Sequence, residues 1–238
     1  MDEQIVKQLV AINRKFYTEF ASAFSETRSS AQTRLDRIVA YIGDAGKILD
    51  IGCGNGRLAE RLEREGKRAR YVGVDASPQL ITIALTRKMH LRHIVADFFV
   101  ADITQPNWSA PFADTSFEVA VALAVLHHIP SFDLRAAVLR DVRTLLSPGA
   151  RLVLTNWAFD RTERQRKRIV PWSRVGLDES VLEPGDALLA WQRGGVGYRY
   201  CHLITPEEMQ RLAEQSGFQV VKQYYADAEL NLYSVLKA

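Results

Sequence analysis

Several things are scarce in this chain of 238 residues. There are two cysteines, Cys53 and Cys201, far apart and in no CxxC pair. That excludes a disulfide-stapled scaffold and gives no zinc-ligand spacing, so both read as reduced thiols of a cytoplasmic protein. No apolar run reaches the ~18 residues that a membrane-spanning helix needs. The opening Met1-Asp2-Glu3-Gln4 is acidic and polar, unlike a secretory leader. There is no internal repeat and no low-complexity tract. The formal net charge is only +3, so bulk charge favours an anionic partner only weakly.

What is present is an ordinary globular balance, 47% hydrophobic and 25% charged residues. The length fits one α/β domain over residues 1–238, with a helical N-terminal lid over 1–34 and an insertion over 158–204. Ile5, Leu9, Ile12, Phe16, Phe20 and Phe24 recur at helical spacing. Short apolar runs follow at 47–51, 71–74, 93–101, 117–123 and 151–157, each separated by a helical pattern. That alternation predicts a Rossmann-like parallel sheet with helices on both faces. Ser77-Pro78 and Thr205-Pro206 are helix starts, a capping hydroxyl followed by proline at its tolerated first position. Two final strands are expected near 218–225 and 231–237. Residues 158–200 break the rhythm, first basic and then glycine-rich and loop-like, as an insertion with a job or a mobile lid would be.

The sharpest local signal is Asp50-Ile51-Gly52-Cys53-Gly54-Asn55-Gly56 between a strand and a helix. Glycines there permit a tight turn and let the backbone approach a ligand. Dinucleotide enzymes use G-x-G-x-x-G. Here the third glycine comes one residue early and Arg57 follows, so the small residue that pyrophosphate packing needs is missing. Asp50 would repel a pyrophosphate and suits a cationic ligand, such as the amino group of S-adenosylmethionine. Asp75, at the end of the second strand, can accept ribose hydroxyls. Asp102 ends the third strand, where it can meet an adenine amino group. Ala76, Ala101, Ile103 and Leu123 complete the expected cofactor contacts. Cys53 is expected to pack in the loop without reacting.

Acids and glycines at four strand ends in this order resemble the class I methyltransferases over about residues 35–160 and 205–238. The resemblance implies a seven-stranded sheet with a reversed last strand and S-adenosylmethionine as methyl donor. Further segments narrow it: Tyr17 to Arg28 (YTEFASAFSETR), Leu123 to Ile129 (LAVLHHI), Asn156-Trp157-Ala158, Val170-Pro171-Trp172, Tyr198 to His202 (YRYCH) and Asn231-Leu232-Tyr233. This set resembles the tRNA wobble-uridine methyltransferases that esterify a carboxymethyl group, and their bacterial relatives. Two departures stand out. Ser29-Ser30-Ala31-Gln32 replaces the proline–tryptophan pair often found there, and Cys201 replaces a second tyrosine.

A carboxylate acceptor is already ionised and needs only to be held in line for displacement. Arg28, Arg199, Tyr200 and His202 are the candidates for that task. An amine or hydroxyl acceptor needs a base, with His128 or His127 as the candidates and His128 expected to face the site. Trp157 and Trp172 can stack on a base. The basic stretch Arg161, Arg164, Arg166, Lys167, Arg168 and Arg174 reads either as a solvated face or as a phosphate grip for tRNA. A metabolite methyltransferase with the same core, its insertion closing a small-molecule pocket, is the competing reading. No metal site is expected.

Overall fold

The computed structural model describes residues 1–26 and 32–238. Three helices come first: α1 (Glu3–Glu19), α2 (Ala21–Glu26) and α3 (Gln32–Ile42). The helical spacing from Ile5 to Phe24 is divided between two helices at Phe20, which caps α1 by donating its N–H to the Phe16 carbonyl. Then β1 (Lys47–Ile51), α4 (Arg57–Arg64), β2 (Ala69–Asp75), α5 (Pro78–Lys88), β3 (Ile94–Val100), β4 (Phe117–Leu123), α6 (Phe132–Leu145) and β5 (Leu146–Trp157) alternate along the chain. A short α7 (Glu163–Arg166) and three strands, β6 (Ile169–Val170), β7 (Asp186–Trp191) and β8 (Gly197–His202), precede α8 (Pro206–Gln215), β9 (Gln219–Ala226) and β10 (Asn231–Lys237).

The main sheet has seven strands in the order β3-β2-β1-β4-β5-β10-β9. β1 to β5 pair in parallel, and β10 slots antiparallel between β5 and β9. This is the expected reversed last strand. The central strands are apolar on both faces because both are covered. Leu49, Ile51, Ala120 and Leu152 pack towards α6 and α8, while Ile48, Val119, Val121 and Val153 pack towards α3, α4 and α5. Both anticipated helix starts form: the Ser77 hydroxyl accepts from the Leu80 N–H and the Thr205 hydroxyl from the Glu208 N–H. Strand order reverses between β1 and β4. That switch point, at the carboxyl ends of the strands, is where an open α/β sheet leaves a crevice.

The insertion differs from expectation. Residues 186–191 and 197–202 are strands where loop was expected. β6, β7 and β8 make a second, antiparallel sheet with β7 in the middle. Gly194 and Gly195, with φ of 73° and 134°, turn the β7–β8 hairpin. Gly197 lies so close to Phe20 that a Cβ would approach within 2.7 Å of its ring. The hairpin therefore packs directly on the N-terminal helices.

Candidate methyl-transfer site

At the switch point the chain leaves β1 through Gly52, whose φ is +65° and whose added Cβ would lie 2.4 Å from Val125 Cγ2. Only glycine lets this turn pass beneath the end of β4. The Cys53 N–H donates to the Val74 carbonyl and the Gly54 N–H to Asp75 Oδ2 at 2.9 Å, so the loop is tied to the end of β2. The other carboxylate oxygen of Asp75 accepts from the Ser77 N–H. Burial holds the Asp75 carboxyl above its ordinary pKa even against these two donors. Asp50 is buried, accepts a short hydrogen bond from the Tyr71 hydroxyl, and is pushed up to about 7 by burial. Burial alone would raise Asp102 as well. Hydrogen bonds from Thr104 and an ion pair with Arg14 outweigh it and hold that carboxyl below the ordinary range.

One cavity gathers these groups. Asp50, Gly52, Cys53, Gly54, Asp75, Ala76, Ala101, Asp102, Ile103 and Leu123 all line it. Gly56 does not: it starts α4 and packs against Ala84 and Phe98. Cys53 is buried, and burial pushes its thiol far up, which leaves it no nucleophilic role. The roof is α1, which supplies Asn13, Arg14, Tyr17 and Thr18 to the lining. Arg14 Nη2 reaches Asp102 Oδ2 at 2.7 Å, an ion pair across the cleft. The α2 residue Ser25 accepts from the Asn55 side chain of the glycine loop. Helical spacing marks the apolar face of α1 but gives no sign that its polar residues turn into a cleft.

At the other end of the cavity stands His128, on a 3₁₀ turn over Leu126–His128. Its Nδ1 lies 2.9 Å from the Tyr200 carbonyl and its Nε2 3.0 Å from the Tyr17 hydroxyl. The Asn13 amide donates to the carbonyls of both His128 and Tyr200 at 3.1 Å. His127 is turned inward, its ring 4.7 Å from that of Trp157. Cys201 Sγ is 3.6 Å from His128 Nδ1, and burial pushes this thiol up to about 12.

The YRYCH strand divides by the two-residue period of β structure. Arg199 and Cys201 face the histidine turn. Arg199 is 1% exposed, its guanidinium 4.6 Å from the Trp157 ring, 4.7 Å from Phe16 and 5.1 Å from Trp191. It has no ion-pair partner among the described residues, and its Nε no hydrogen-bond acceptor. Tyr200 and His202 point the other way, and none of Arg199, Tyr200 and His202 lines the cavity. The Tyr200 hydroxyl donates to Asp186. His202 is held between Asp186 (2.7 Å) and Glu208 (2.8 Å), both its nitrogens engaged. Burial would lower its pKa, but these two carboxylates raise it. Arg135, 1% exposed, ties the group together through Glu183, Glu208 and the Ile129 carbonyl. Donor atoms of Glu183, Asp186 and His202 come within 4.8 Å of one another, but the Arg135 guanidinium already supplies the positive charge there. Arg28 lies outside the described residues.

The basic stretch is partly neutralised. Arg161 pairs with Glu229 and lies over Tyr225, and Lys167 pairs with Glu163. Arg168 turns inward onto the Ala190 carbonyl. Arg164, Arg166 and Arg174 are exposed. Trp172 is buried in a small core with Leu9, Leu188 and Tyr200, so its ring is committed to packing. No helix among the described residues is long and apolar enough to cross a membrane.

A sequence profile described as "Methyltransferase domain" matches residues 24–223. A human protein named "Probable tRNA methyltransferase 9B" is 27% identical over 175 residues, covering 72% of this chain and 35% of its own length. A mouse tRNA (carboxymethyluridine(34)-5-O)-methyltransferase is 27% identical over 151 residues, 63% of this chain and 20% of its own. This chain thus spans about a third or less of the length of these two relatives. Among solved structures, magnesium protoporphyrin IX methyltransferase of Synechocystis with bound S-adenosylmethionine superposes with a TM-score of 0.60 at 15% identity, covering 100% of this chain and 99% of its own. At that identity the likeness speaks for the fold.

Proposed function

Because the chain belongs to the methyltransferase domain family, we propose that it transfers a methyl group from S-adenosylmethionine to a carboxylate oxygen, that of a carboxymethyl group on a tRNA wobble uridine. The residues present suit the donor. The Gly52–Gly54 turn leaves room for a ligand against the backbone, Asp75 offers a carboxylate for ribose hydroxyls, Asp50 one for the ammonium group, and the Ala101–Ile103 segment an edge for the adenine. When bound, the cofactor supplies an electrophilic methyl on a sulfonium sulfur, and the protein supplies orientation and electrostatics. An ionised acceptor needs alignment and positive charge, with no base.

The observation that carries this reading is Arg199. A buried guanidinium is costly unless it is paired. This one is boxed by three aromatic rings, which offset part of the cost by cation–π attraction, and it has no carboxylate neighbour among the described residues. It sits one ring away from His128, on the Trp157 that His128 abuts. The names of the tRNA-modifying relatives point the same way, and the exposed Arg164, Arg166 and Arg174 suit phosphate contact. The test is labelled methyl transfer into tRNA bearing carboxymethyluridine and, side by side, into a small-metabolite extract. Label in the tRNA that weakens steeply with salt, and in the triple alanine variant of those three arginines, supports the reading. Label confined to the metabolite pool defeats it. One observation favours that second reading, methylation of a small hydroxyl or amine: His128 and Tyr17 form a pair able to take a proton.

A further inference from the structure

The hydrogen bonds of His128 fix where its protons are. The Tyr200 carbonyl can only accept, so the 2.9 Å contact requires a hydrogen on Nδ1. In the neutral ring Nε2 then carries the lone pair, and the Tyr17 hydroxyl 3.0 Å away donates to it. Protonation reverses that bond. Nε2–H becomes the donor, Tyr17 Oη the acceptor, and the single hydroxyl proton must turn away from the ring. Both residues line the cavity, so the charge of one decides which pole the other shows there. With neutral His128, Tyr17 presents lone pairs. With His128 protonated, it presents an O–H backed by a positive charge. Asn13 keeps the arrangement in register, since its two N–H bonds hold the carbonyls of both His128 and Tyr200.

We propose that Tyr17 is the hydroxyl that touches the methyl acceptor, and that His128 sets whether that hydroxyl donates or accepts. This rests on the carboxylate reading above. A carboxylate is held only by the donating arrangement, with protonated His128. A hydroxyl or amine acceptor requires the other: its proton passes to Tyr17 Oη as the Tyr17 proton passes to Nε2, leaving a neutral methylated product and an imidazolium. The pair therefore discriminates between acceptor classes by its protonation state. Among the described residues, the titratable and charged groups around His128 include Tyr17 from α1, His127 on its own turn, Cys201 from β8 at 3.6 Å, and the Arg199 guanidinium beyond the Trp157 ring from β5.

Two measurements on the intact chain test this. The first needs no acceptor. The His128 imidazole, assigned by its loss in His128→Gln, is titrated by NMR in the protein saturated with S-adenosylhomocysteine, with and without acetate as a carboxylate probe. Acetate is expected to raise the His128 pKa in the wild type and not in Tyr17→Phe. An imidazole unmoved by acetate in the wild type, or moved equally in both, overturns the proposal. The second is kcat/KM against pH with carboxymethyluridine tRNA. The wild type is expected to lose about tenfold per pH unit above the imidazole titration. Tyr17→Phe is expected to run flat with an unchanged affinity for S-adenosylhomocysteine. A rising wild-type profile that Tyr17→Phe flattens keeps the Tyr17–His128 coupling and overturns the carboxylate reading. A Tyr17→Phe profile parallel to the wild type overturns the coupling itself.

Discussion

The two ends of the cavity are built differently. The proposed cofactor end is mostly local: Asp50, Gly52, Asp75 and Asp102 each sit at or just beyond a strand end, while Arg14, paired with Asp102 across 88 residues, reaches it from far along the chain. The acceptor end is assembled at long range, with Asn13 reaching Tyr200 across 187 residues and Tyr17 reaching His128 across 111. Their polarity differs too. The proposed cofactor end carries three acids, while the proposed acceptor end is lined by His128, with His127 and the Arg199 guanidinium buried behind it. A cationic donor suits the first and an anionic acceptor the second. Cofactor chemistry can thus be read from contiguous residues, whereas acceptor chemistry depends on how an inserted sheet and an N-terminal helix are docked.

The largest expected effect follows from that docking. Arg135 joins α6 to Glu183 before β7 and to Glu208 on α8, beneath the strand whose Tyr200 carbonyl orients His128. Arg135→Met keeps the bulk but leaves buried carboxylates facing one another. Removing one partner of a buried pair costs about 3–5 kcal/mol, and denaturant unfolding should show a loss of that order. If the comparison holds, the variant that remains folded binds S-adenosylmethionine nearly as wild type while methyl transfer collapses. Equal loss of both would show that the two ends are one cooperative unit.

At the cofactor end the contrast is between two glycines of one loop. Gly52 and Gly54 both have positive φ, but an added Cβ meets Val125 at 2.4 Å at the first and nothing within 4 Å at the second. Gly54→Ala should cost only the left-handed backbone term, about 1–2 kcal/mol. Gly52→Ala adds overpacking of about 1–3 kcal/mol, and its cofactor affinity should fall about 100-fold by calorimetry. Val125→Ala should restore part of that loss in Gly52→Ala and none in Gly54→Ala. Equal losses of stability in the two unliganded single variants would remove the steric account of the turn.

How much was legible follows the same division. Alternating apolar runs gave the parallel strands, because burial on both faces leaves a composition no local preference can hide. The acids at strand ends were visible for the same reason. The β7–β8 hairpin was hidden: Gly194, Gly195 and Gly197 suggest a loop, although Asp186-Ala187-Leu188-Leu189-Ala190-Trp191 before them is a strand-length apolar run. Missing that hairpin hid the two-residue period, and with it the fact that Tyr200 and His202 face away from Arg199. Nothing local to Asn13 or Arg14 marks them as cavity residues, since a polar position on an amphipathic helix ordinarily faces solvent. Their role comes from the sheet that α1 covers.

The smallest expected effect bears on the charge half of the comparison. Burial holds the Asp50 carboxyl at about 7. Between the ordinary carboxylate pKa and that value the folded chain keeps a proton that the unfolded chain has lost. Asp50's contribution to stability is therefore complete below about pH 4 and lost as pH rises through about 7. An ammonium group brought against the ionised carboxylate opposes that loss, so ligand binding is linked to deprotonation. S-adenosylhomocysteine, which keeps the amino group, should bind about tenfold more tightly at pH 8 than at pH 6. Asp50→Asn, which can still accept from the Tyr71 hydroxyl, should bind with no such slope. Its unliganded thermal stability should also fall less than the wild type's over the same interval. A wild-type affinity independent of pH would mean that Asp50 shapes the loop without facing the ammonium group. The acidity of the cofactor end would then serve the turn of the backbone and the ribose, leaving charge as a distinguishing feature of the acceptor end alone.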